Sequence, residues 1–332
     1  MRYILILFTL ANISVLAQDS LTVKMDTVLM GSRFVFTAVS NNNEIAWEAI
    51  NSAKNEVIRI ERLISSWDEN SETYKINSNA GIHPVKVSAE LFQLISRCLK
   101  ISELSDGYFD ISYASLDQVW DFDKEYTALP SQELIEESVA KINYKNIILN
   151  KEESTVFLKA KDMKIGFGAI GKGYAANRAK RIMLNYGIAS GVVNAGGDLL
   201  SWGHKANGDA WSVGILDPFK KDEIKLWLNI TDIAVVTSGD YEKYVMINGK
   251  RYGHIINPKT GWPCEGVRSV TVICPDAELA DALATTIFCV GRKSGIALIN
   301  ELDGIECLVI DNMNTLFYSN KLEMNYVLQR EK

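Results

Sequence analysis

Cysteine is scarce and unpatterned in this chain: five in 332 residues, at positions 98, 264, 274, 289 and 307, with no Cys-x-x-Cys pair. The odd count and wide spacing argue against a disulfide framework or a cysteine zinc site, leaving scattered core thiols and room for one disulfide in an oxidising compartment. Positive charge is not in excess either. Lys and Arg number 35 against 41 Asp and Glu, a net charge of −6, so no broad basic field draws nucleic acid or anionic lipid. An anionic ligand has to be met by locally placed donors or by a metal. Internal repeats, low-complexity tracts and long linkers are missing. No apolar run approaches the ~20 residues a membrane-spanning helix needs. Histidines number only three.

What remains is ordinary globular material, 47% hydrophobic and 23% charged. A chain of 332 residues is enough for one large domain or two smaller ones. The first seventeen residues differ. Met1-Arg2 precedes an apolar run from Ile4 to Leu10 that continues loosely to Val15-Leu16-Ala17. This pattern predicts a secretory signal peptide over 1–17 with a cut after Ala17, and hence an exported, periplasmic or outer-face protein beginning at residue 18. No cysteine follows the cut to carry a lipid anchor.

Periodicity predicts a mixture of elements. Residues 31–39 alternate like a strand. Ile45, Ala49, Ala53, Val57, Ile60 and Ile64 recur at helical spacing over 44–64. A helix starts at Ser88 and stops at Gly107; a shorter one covers 131–141. Strands over 145–150 and 154–160 precede a glycine-rich segment, followed by a helix from Tyr174 to about Asn185 and a strand from Gly191 to Asn194. Further strands fit 211–216, 224–230, 233–237, 243–247 and 268–274, and a helix fits 276–290. Strands and helices do not alternate strictly, so the class is α+β, one compact unit with room for two lobes.

Gly166-Phe167-Gly168-Ala169-Ile170-Gly171-Lys172-Gly173 satisfies Gly-x-Gly-x-x-Gly between a strand and a helix. A phosphate-binding P-loop would need Ser or Thr where Gly173 stands. A nicotinamide fold would need an acidic residue at the end of the next strand, where Asn194 stands. The shared physics survives both objections: small residues let backbone approach phosphate near a helix N-terminus. Lys172, a cation at the positive end of a helix, runs against the dipole and points to an anionic partner. Asp281 and Thr285 lie four apart on one predicted helix face and offer hard oxygens suited to Mg²⁺; the same pair also suits plain packing. His254 directly precedes the turn Asn257-Pro258-Lys259-Thr260-Gly261, either as a base or as a satisfied polar group. Gly107-Tyr108-Phe109-Asp110 sets aromatics beside a carboxylate, fit for stacking on a planar ring or for core packing.

In combination these segments resemble the ApbE family, the FAD:protein FMN transferases. The resemblance runs from about Met30 to Leu308 in the family's order. It covers Met30-Gly31; Ser65-Ser66-Trp67 with Asn70-Ser71 and Ile76-Asn77; Gly107 to Asp110; and Gly168 to Ala175. It continues through Asn194-Ala195-Gly196-Gly197-Asp198, Thr237-Ser238-Gly239-Asp240-Tyr241, His254 to Gly261, and Ala280-Asp281 with Thr285. The resemblance implies an α+β fold related to the T-fold, with the transferase unit over 18–332. It implies FAD as donor and Mg²⁺ held by the Ala169 carbonyl, the Asp281 carboxylate and the Thr285 hydroxyl. FAD would contact Met30, Trp67, Tyr108, Phe109, Asp110, Lys172 and Ile255. His254 matches a proposed base, with Asp240 the less favoured alternative, and Asp281 is the acidic catalytic residue. The implied reaction transfers FMN to a Thr or Ser hydroxyl of a partner protein, typically a membrane redox subunit, and releases AMP. FAD hydrolysis to FMN and AMP, a non-catalytic exported FAD-binding protein, and a nicotinamide oxidoreductase are the competing readings. Two positions depart from the family's pattern: Gly166 and Asn177 stand where Asp is usual, which puts metal binding or orientation in question.

Overall fold

The computed structural model describes residues 20–126, 128–220, 223–322 and 328–329; the expected signal peptide lies outside them. In chain order, β1 (Leu21–Leu29) and β2 (Ser32–Ser40) lead into α1 (Asn43–Ile64), α2 (Glu72–Ser78), β3 (Val85–Lys86) and α3 (Ala89–Leu104). A 3₁₀ turn (Ile111–Leu116) and α4 (Gln132–Val139) precede β4 (Ile147–Asn150), β5 (Thr155–Leu158) and α5 (Gly171–Asn185). Then come β6 (Ser190–Ala195), β7 (Asp198–Trp202), β8 (Trp211–Leu216), β9 (Ile224–Ile230), β10 (Ala234–Gly239), β11 (Tyr244–Ile247) and β12 (Lys250–Gly253). The chain continues through β13 (Val267–Cys274), α6 (Ala277–Val290), α7 (Arg292–Asn300), β14 (Glu306–Asp311), β15 (Leu316–Tyr318) and β16 (Leu328–Gln329). Among the described residues no helix is long and apolar enough to cross a membrane.

An eight-stranded antiparallel sheet, in the order β1-β2-β6-β7-β10-β13-β14-β15, is the frame. Its central strands are apolar on both faces, and side-chain alternation explains why. Ala234 and Val236 of β10, Val270 and Val272 of β13, and Cys307 and Val309 of β14 join the core beneath α1, α5 and α6. The intervening Val235, Ile273 and Leu308 join a second core against Val213, Ile215, Leu226, Leu228 and Ile230 of β8 and β9. The sheet is therefore covered by helices on one face and by the small sheet β16-β9-β8 on the other.

Helix α1 forms for local reasons. Asn42 caps it, its side chain accepting from the Glu44 and Ile45 N–H groups. Ala46, Ala49, Ile50, Ala53, Val57, Ile60 and Ile64 make its buried stripe. Each fully buried Ile or Val there contributes roughly 1.5–3 kcal/mol. The predicted stripe was one residue off at its start: Ile45 is 39% exposed and Ala46 is buried. Helix α5 starts at Gly171 rather than Tyr174, because packing against α6 overrides the low helix propensity of glycine. The predicted break after Asn194 is a two-residue hairpin turn. Ala195 pairs with Asp198, and Gly196 and Gly197 both take positive φ, 65° and 105°.

Candidate active site

Four elements converge above the helical face of the large sheet: the segment Gly166–Gly173 entering α5, the middle of α6, the C-terminal end of β10, and the loop after β12. They enclose a cavity of about 190 Å³ lined by Tyr108, Phe109, Asp110, Ala169, Lys172, His254, Ile255, Asp281 and Thr285, among others. A larger groove of about 670 Å³ continues from it past Met30 and Trp67; Tyr113, Gly168, Lys172, His254 and Ile256 line both. The residues expected to contact FAD or metal, and His254, thus border one continuous cleft.

The glycine segment is built for close approach. None of Gly166, Gly168, Gly171 and Gly173 takes a positive φ; room, not backbone freedom, makes them glycine. A Cβ on Gly173 would lie 2.1 Å from the Ala277 carbonyl oxygen and 2.9 Å from the Asp281 Cβ. One on Gly168 would lie 2.4 Å from the Tyr113 hydroxyl. Ile170, at the start of α5, gives no side-chain cap. Instead the Gly173 N–H donates to Asp281 Oδ2 at 3.0 Å. The helix N-terminus that glycine spacing suggested for phosphate is therefore closed, at this donor, by a carboxylate of the chain.

Lys172 also finds an anion within the protein. Its Nζ lies 2.9 Å from Asp198 Oδ2, beside a carboxylate that is 1% exposed. Burial works against the lysine's charge, but Asp198, Asp281 and Glu242 outweigh it and hold the ammonium protonated. The reverse holds for the acids. Burial, then the Asp198 charge, pushes Asp281 up; burial pushes Asp198 up against the pull of Lys172. Glu242, solvent-accessible inside the concave cleft, rises to about 7 through desolvation. Three carboxyl groups thus share one lysine, a site with room for additional positive charge. Asp198 and Glu242 went unrecognised as site residues, although Asp198 closes the Asn194–Asp198 motif. Tyr113 carries no sequence signal.

His254 is held in a useful state. Its Nδ1 lies 3.0 Å from the Lys243 carbonyl. A carbonyl only accepts, so Nδ1 carries the proton and Nε2 keeps a lone pair. Phe122 meets the ring edge-on, 6.5 Å between centroids. Burial, and then the charges of Lys172 and Lys243 against a carbonyl that favours protonation, lower its pKa and keep the ring neutral. The following turn is pinned where the Trp120 indole N–H donates to the Gly261 carbonyl at 2.8 Å.

The aromatic walls are braced from behind. Asp110 Oδ1 accepts from the Ser112 backbone at 2.8 Å and hydroxyl at 2.6 Å, while Oδ2 accepts from the Tyr144 N–H at 2.7 Å. Its carboxylate thereby braces the Tyr108-Phe109 corner, and Asp110 still borders the cavity. Lys259 sits 4.3 Å above the Tyr108 ring. Met30 takes φ 50° in the two-residue turn between β1 and β2, strained for a side chain of its size. Trp67 is 79% exposed at the groove, on a loop tied by the Ser71 hydroxyl donating to the Ser65 carbonyl.

Two sequence expectations change. Asp240 is no base for this cleft: it is clamped by Arg251 at 2.9 Å and Arg268 at 2.7 Å and borders a different pocket. Asn177 does not approach the cavity lining; its Oδ1 accepts from the Ala277 N–H at 3.1 Å, capping the first turn of α6. Asn supplies the same oxygen there as Asp. Gly166 abuts Ala114, whose Cβ would stand 3.1 Å from an added Cβ, so a carboxylate there would press on the 3₁₀ turn.

Ala169, Asp281 and Thr285 border one cavity, and their oxygens are hard donors of the kind Mg²⁺ takes. Among the described residues no three His, Cys, Asp or Glu groups could hold a metal alone, so backbone and hydroxyl oxygens have to contribute. The surplus of carboxylate over lysine charge fits such a cation.

The sequence model of the ApbE family matches residues 30–309. An FAD:protein FMN transferase of Treponema pallidum is 32% identical over 266 residues, 75% of this chain and 73% of that one. One from Klebsiella pneumoniae is 28% identical over 310 residues, 93% and 95% of the two chains. The crystal structure of the ApbE protein of Thermotoga maritima superposes with a TM-score of 0.86 at 32% identity, over 94% of this chain and all of that one. The chain belongs to the ApbE family.

Proposed function

We propose that this chain is an FAD:protein FMN transferase, moving FMN from FAD to a Thr or Ser hydroxyl of an acceptor protein and releasing AMP. One observation carries this reading: a neutral histidine with an available Nε2, a half-buried lysine and a hard-oxygen cluster border the same cleft as the aromatic groove. The relatives named for this activity support it.

Each residue has a definite task. Trp67, Met30 and Tyr108 offer faces and edges to the planar rings of FAD, and Phe109 and Ile255 close the apolar wall. Lys172, cationic among acids, meets the diphosphate. His254 Nε2 takes the proton of the acceptor hydroxyl as oxygen attacks the FMN-side phosphorus. The P–O bond to the AMP portion breaks, and AMP leaves with that oxygen. Mg²⁺ held by Ala169, Asp281 and Thr285 would neutralise charge on the diphosphate. The acceptor is proposed to be a subunit of a membrane redox complex, met in the periplasm, in keeping with the apolar N-terminal segment.

The test incubates the chain with FAD, Mg²⁺ and a candidate acceptor, and follows protein-bound flavin and AMP by mass spectrometry. Free FMN without labelled acceptor would instead show hydrolysis; tight FAD without turnover would show a carrier. Asp281→Asn keeps an oxygen for the Gly173 N–H while removing charge. It should weaken Mg²⁺ binding in calorimetry and abolish transfer; normal Mg²⁺ affinity and rate would overturn the metal assignment.

A further inference from the structure

Two of the five thiols are neighbours. The Cys264 and Cys289 sulfurs are 3.4 Å apart although 25 positions separate them in the chain. Cys98, Cys274, Cys289 and Cys307 are buried, whereas Cys264 is partly exposed. Cys289 lies one helical turn past Thr285 on α6 and borders the cavity; it also borders a separate groove shared with Cys264. Cys264 is tied to the histidine loop through its N–H, which donates to the Ile255 carbonyl at 2.8 Å. A reagent entering the outer groove meets Cys264 first, with Cys289 behind it. The contact with Cys264, and then burial, pushes the Cys289 thiol well up, so Cys289 is the poorer attacking group.

We propose that Cys264 and Cys289 form a thiol pair that closes to a disulfide, tying the loop that carries His254 and Ile255 to the helix that carries Asp281 and Thr285. The oxidant is a small-molecule or protein disulfide of an oxidising compartment. The Cys264 thiolate attacks one sulfur of that disulfide and expels the other as a thiolate, leaving a mixed disulfide. The Cys289 thiolate then attacks Cys264 Sγ and expels the second half. Two cysteine thiols become one disulfide, the oxidant becomes two thiols, and the cysteine protons pass to the departing thiolates. The bond links existing neighbours, so the cleft need not rearrange. It closes a loop of 25 residue steps, and constraint of the unfolded chain should raise Tm by roughly 3–6 °C.

The experiment treats the native full chain with oxidised glutathione, denatures it in alkylating reagent, and maps peptides without reduction. The expected product links the Cys264 and Cys289 peptides with loss of two hydrogens, while Cys98, Cys274 and Cys307 are alkylated. Cys289→Ser should trap glutathione on Cys264, and Cys264→Ser should give neither product. The oxidised chain should melt higher than the same sample after dithiothreitol, a difference missing in Cys264→Ser. Free thiols at both positions after oxidation, linkage to any other cysteine, or equal Tm of oxidised and reduced chains would overturn the proposal.

Discussion

Replacing Gly173 with Ala sets two physical effects of opposite sign against each other. Gly173 lies in the first turn of α5 with helical backbone, so intrinsic propensity alone predicts that Ala stabilises by about 1 kcal/mol. Packing predicts the reverse. The new Cβ would stand 2.1 Å from the Ala277 oxygen, 2.6 Å from its carbon and 2.9 Å from the Asp281 Cβ, two of these being backbone atoms that no side-chain rotation can move. Helices α5 and α6 must separate by about an ångström, at a cost typical of overpacking, ~1–3 kcal/mol. The same movement stretches the 3.0 Å bond from the Gly173 N–H to Asp281 Oδ2, worth a further ~1.5–3 kcal/mol if lost. After the propensity gain, the net loss is roughly 1.5–5 kcal/mol, a fall in Tm on the order of 2–7 °C for a chain of 332 residues. Asp281 also shifts within the cavity, so Mg²⁺ binding and FMN transfer should fall together. Gly187→Ala is the comparison: φ is +81° there and nothing lies within 4 Å, so only left-handed backbone strain of ~1–2 kcal/mol applies. Urea and thermal unfolding of both variants, with calorimetry for Mg²⁺, measure these terms. A Gly173→Ala chain as stable as the parent and unchanged in Mg²⁺ affinity would refute the close-approach reasoning.

His254→Ala should lower transfer at saturating FAD and acceptor by roughly 10²–10⁴-fold. Because burial holds the folded His254 pKa below the ordinary 6.5, the native state binds fewer protons than the unfolded chain. The linked stability is then present above pH 6.5 and is lost as pH falls toward the folded value, and the acid limb of kcat/KM should lie below 6.5; a limb at higher pH in the pH–rate profile contradicts the assignment. Trp67→Ala should leave stability within ~0.5 kcal/mol, since the ring is 79% exposed, while loss of stacking weakens FAD by ~1–3 kcal/mol, read by fluorescence titration. Asn177→Asp should raise stability by ~0.3–1 kcal/mol, an anion replacing a neutral cap at the N-terminus of α6, with Mg²⁺ affinity unaltered in calorimetry.

Local rules made much of the fold legible. The α1 stripe, the strand at β2 and the helix around Asp281 follow from side-chain periodicity, and their positions agree within a few residues. What local rules missed was decided by distant partners. Strand β1 exposes alternate residues at the sheet edge and pairs with β2 through all nine positions, yet its alternation is broken by polar side chains. Helix α7 and strand β14 follow Gly291 without a marked pattern of their own, and β14 reads as a continuous apolar run because both its faces are covered.

The site was legible as residue types and illegible as charge balance. Lys172 at a helix N-terminus signalled an anion, and the inference from dipole preference was sound. That anion includes a carboxylate of the chain itself, delivered by the hairpin turn at Gly196-Gly197 from a neighbouring strand. No spacing rule connects position 172 to position 198, nor Asp281 to the uncapped start of α5. The first link exists because the β6–β7 hairpin sets Asp198 beside the start of α5; the second exists because α5 and α6 pack closely enough for Gly173 to be obligatory. The same packing explains why the two departures from the family's pattern weigh so differently. Asn177 replaces one hydrogen-bond acceptor with another, behind the cleft. Gly166 removes a side chain from the groove lining itself, where its neighbours are Ala114 and the Tyr113 hydroxyl. A charge missing at 166 therefore bears on what enters the groove, while Asp198, Glu242 and Asp281 still supply the negative field around Lys172.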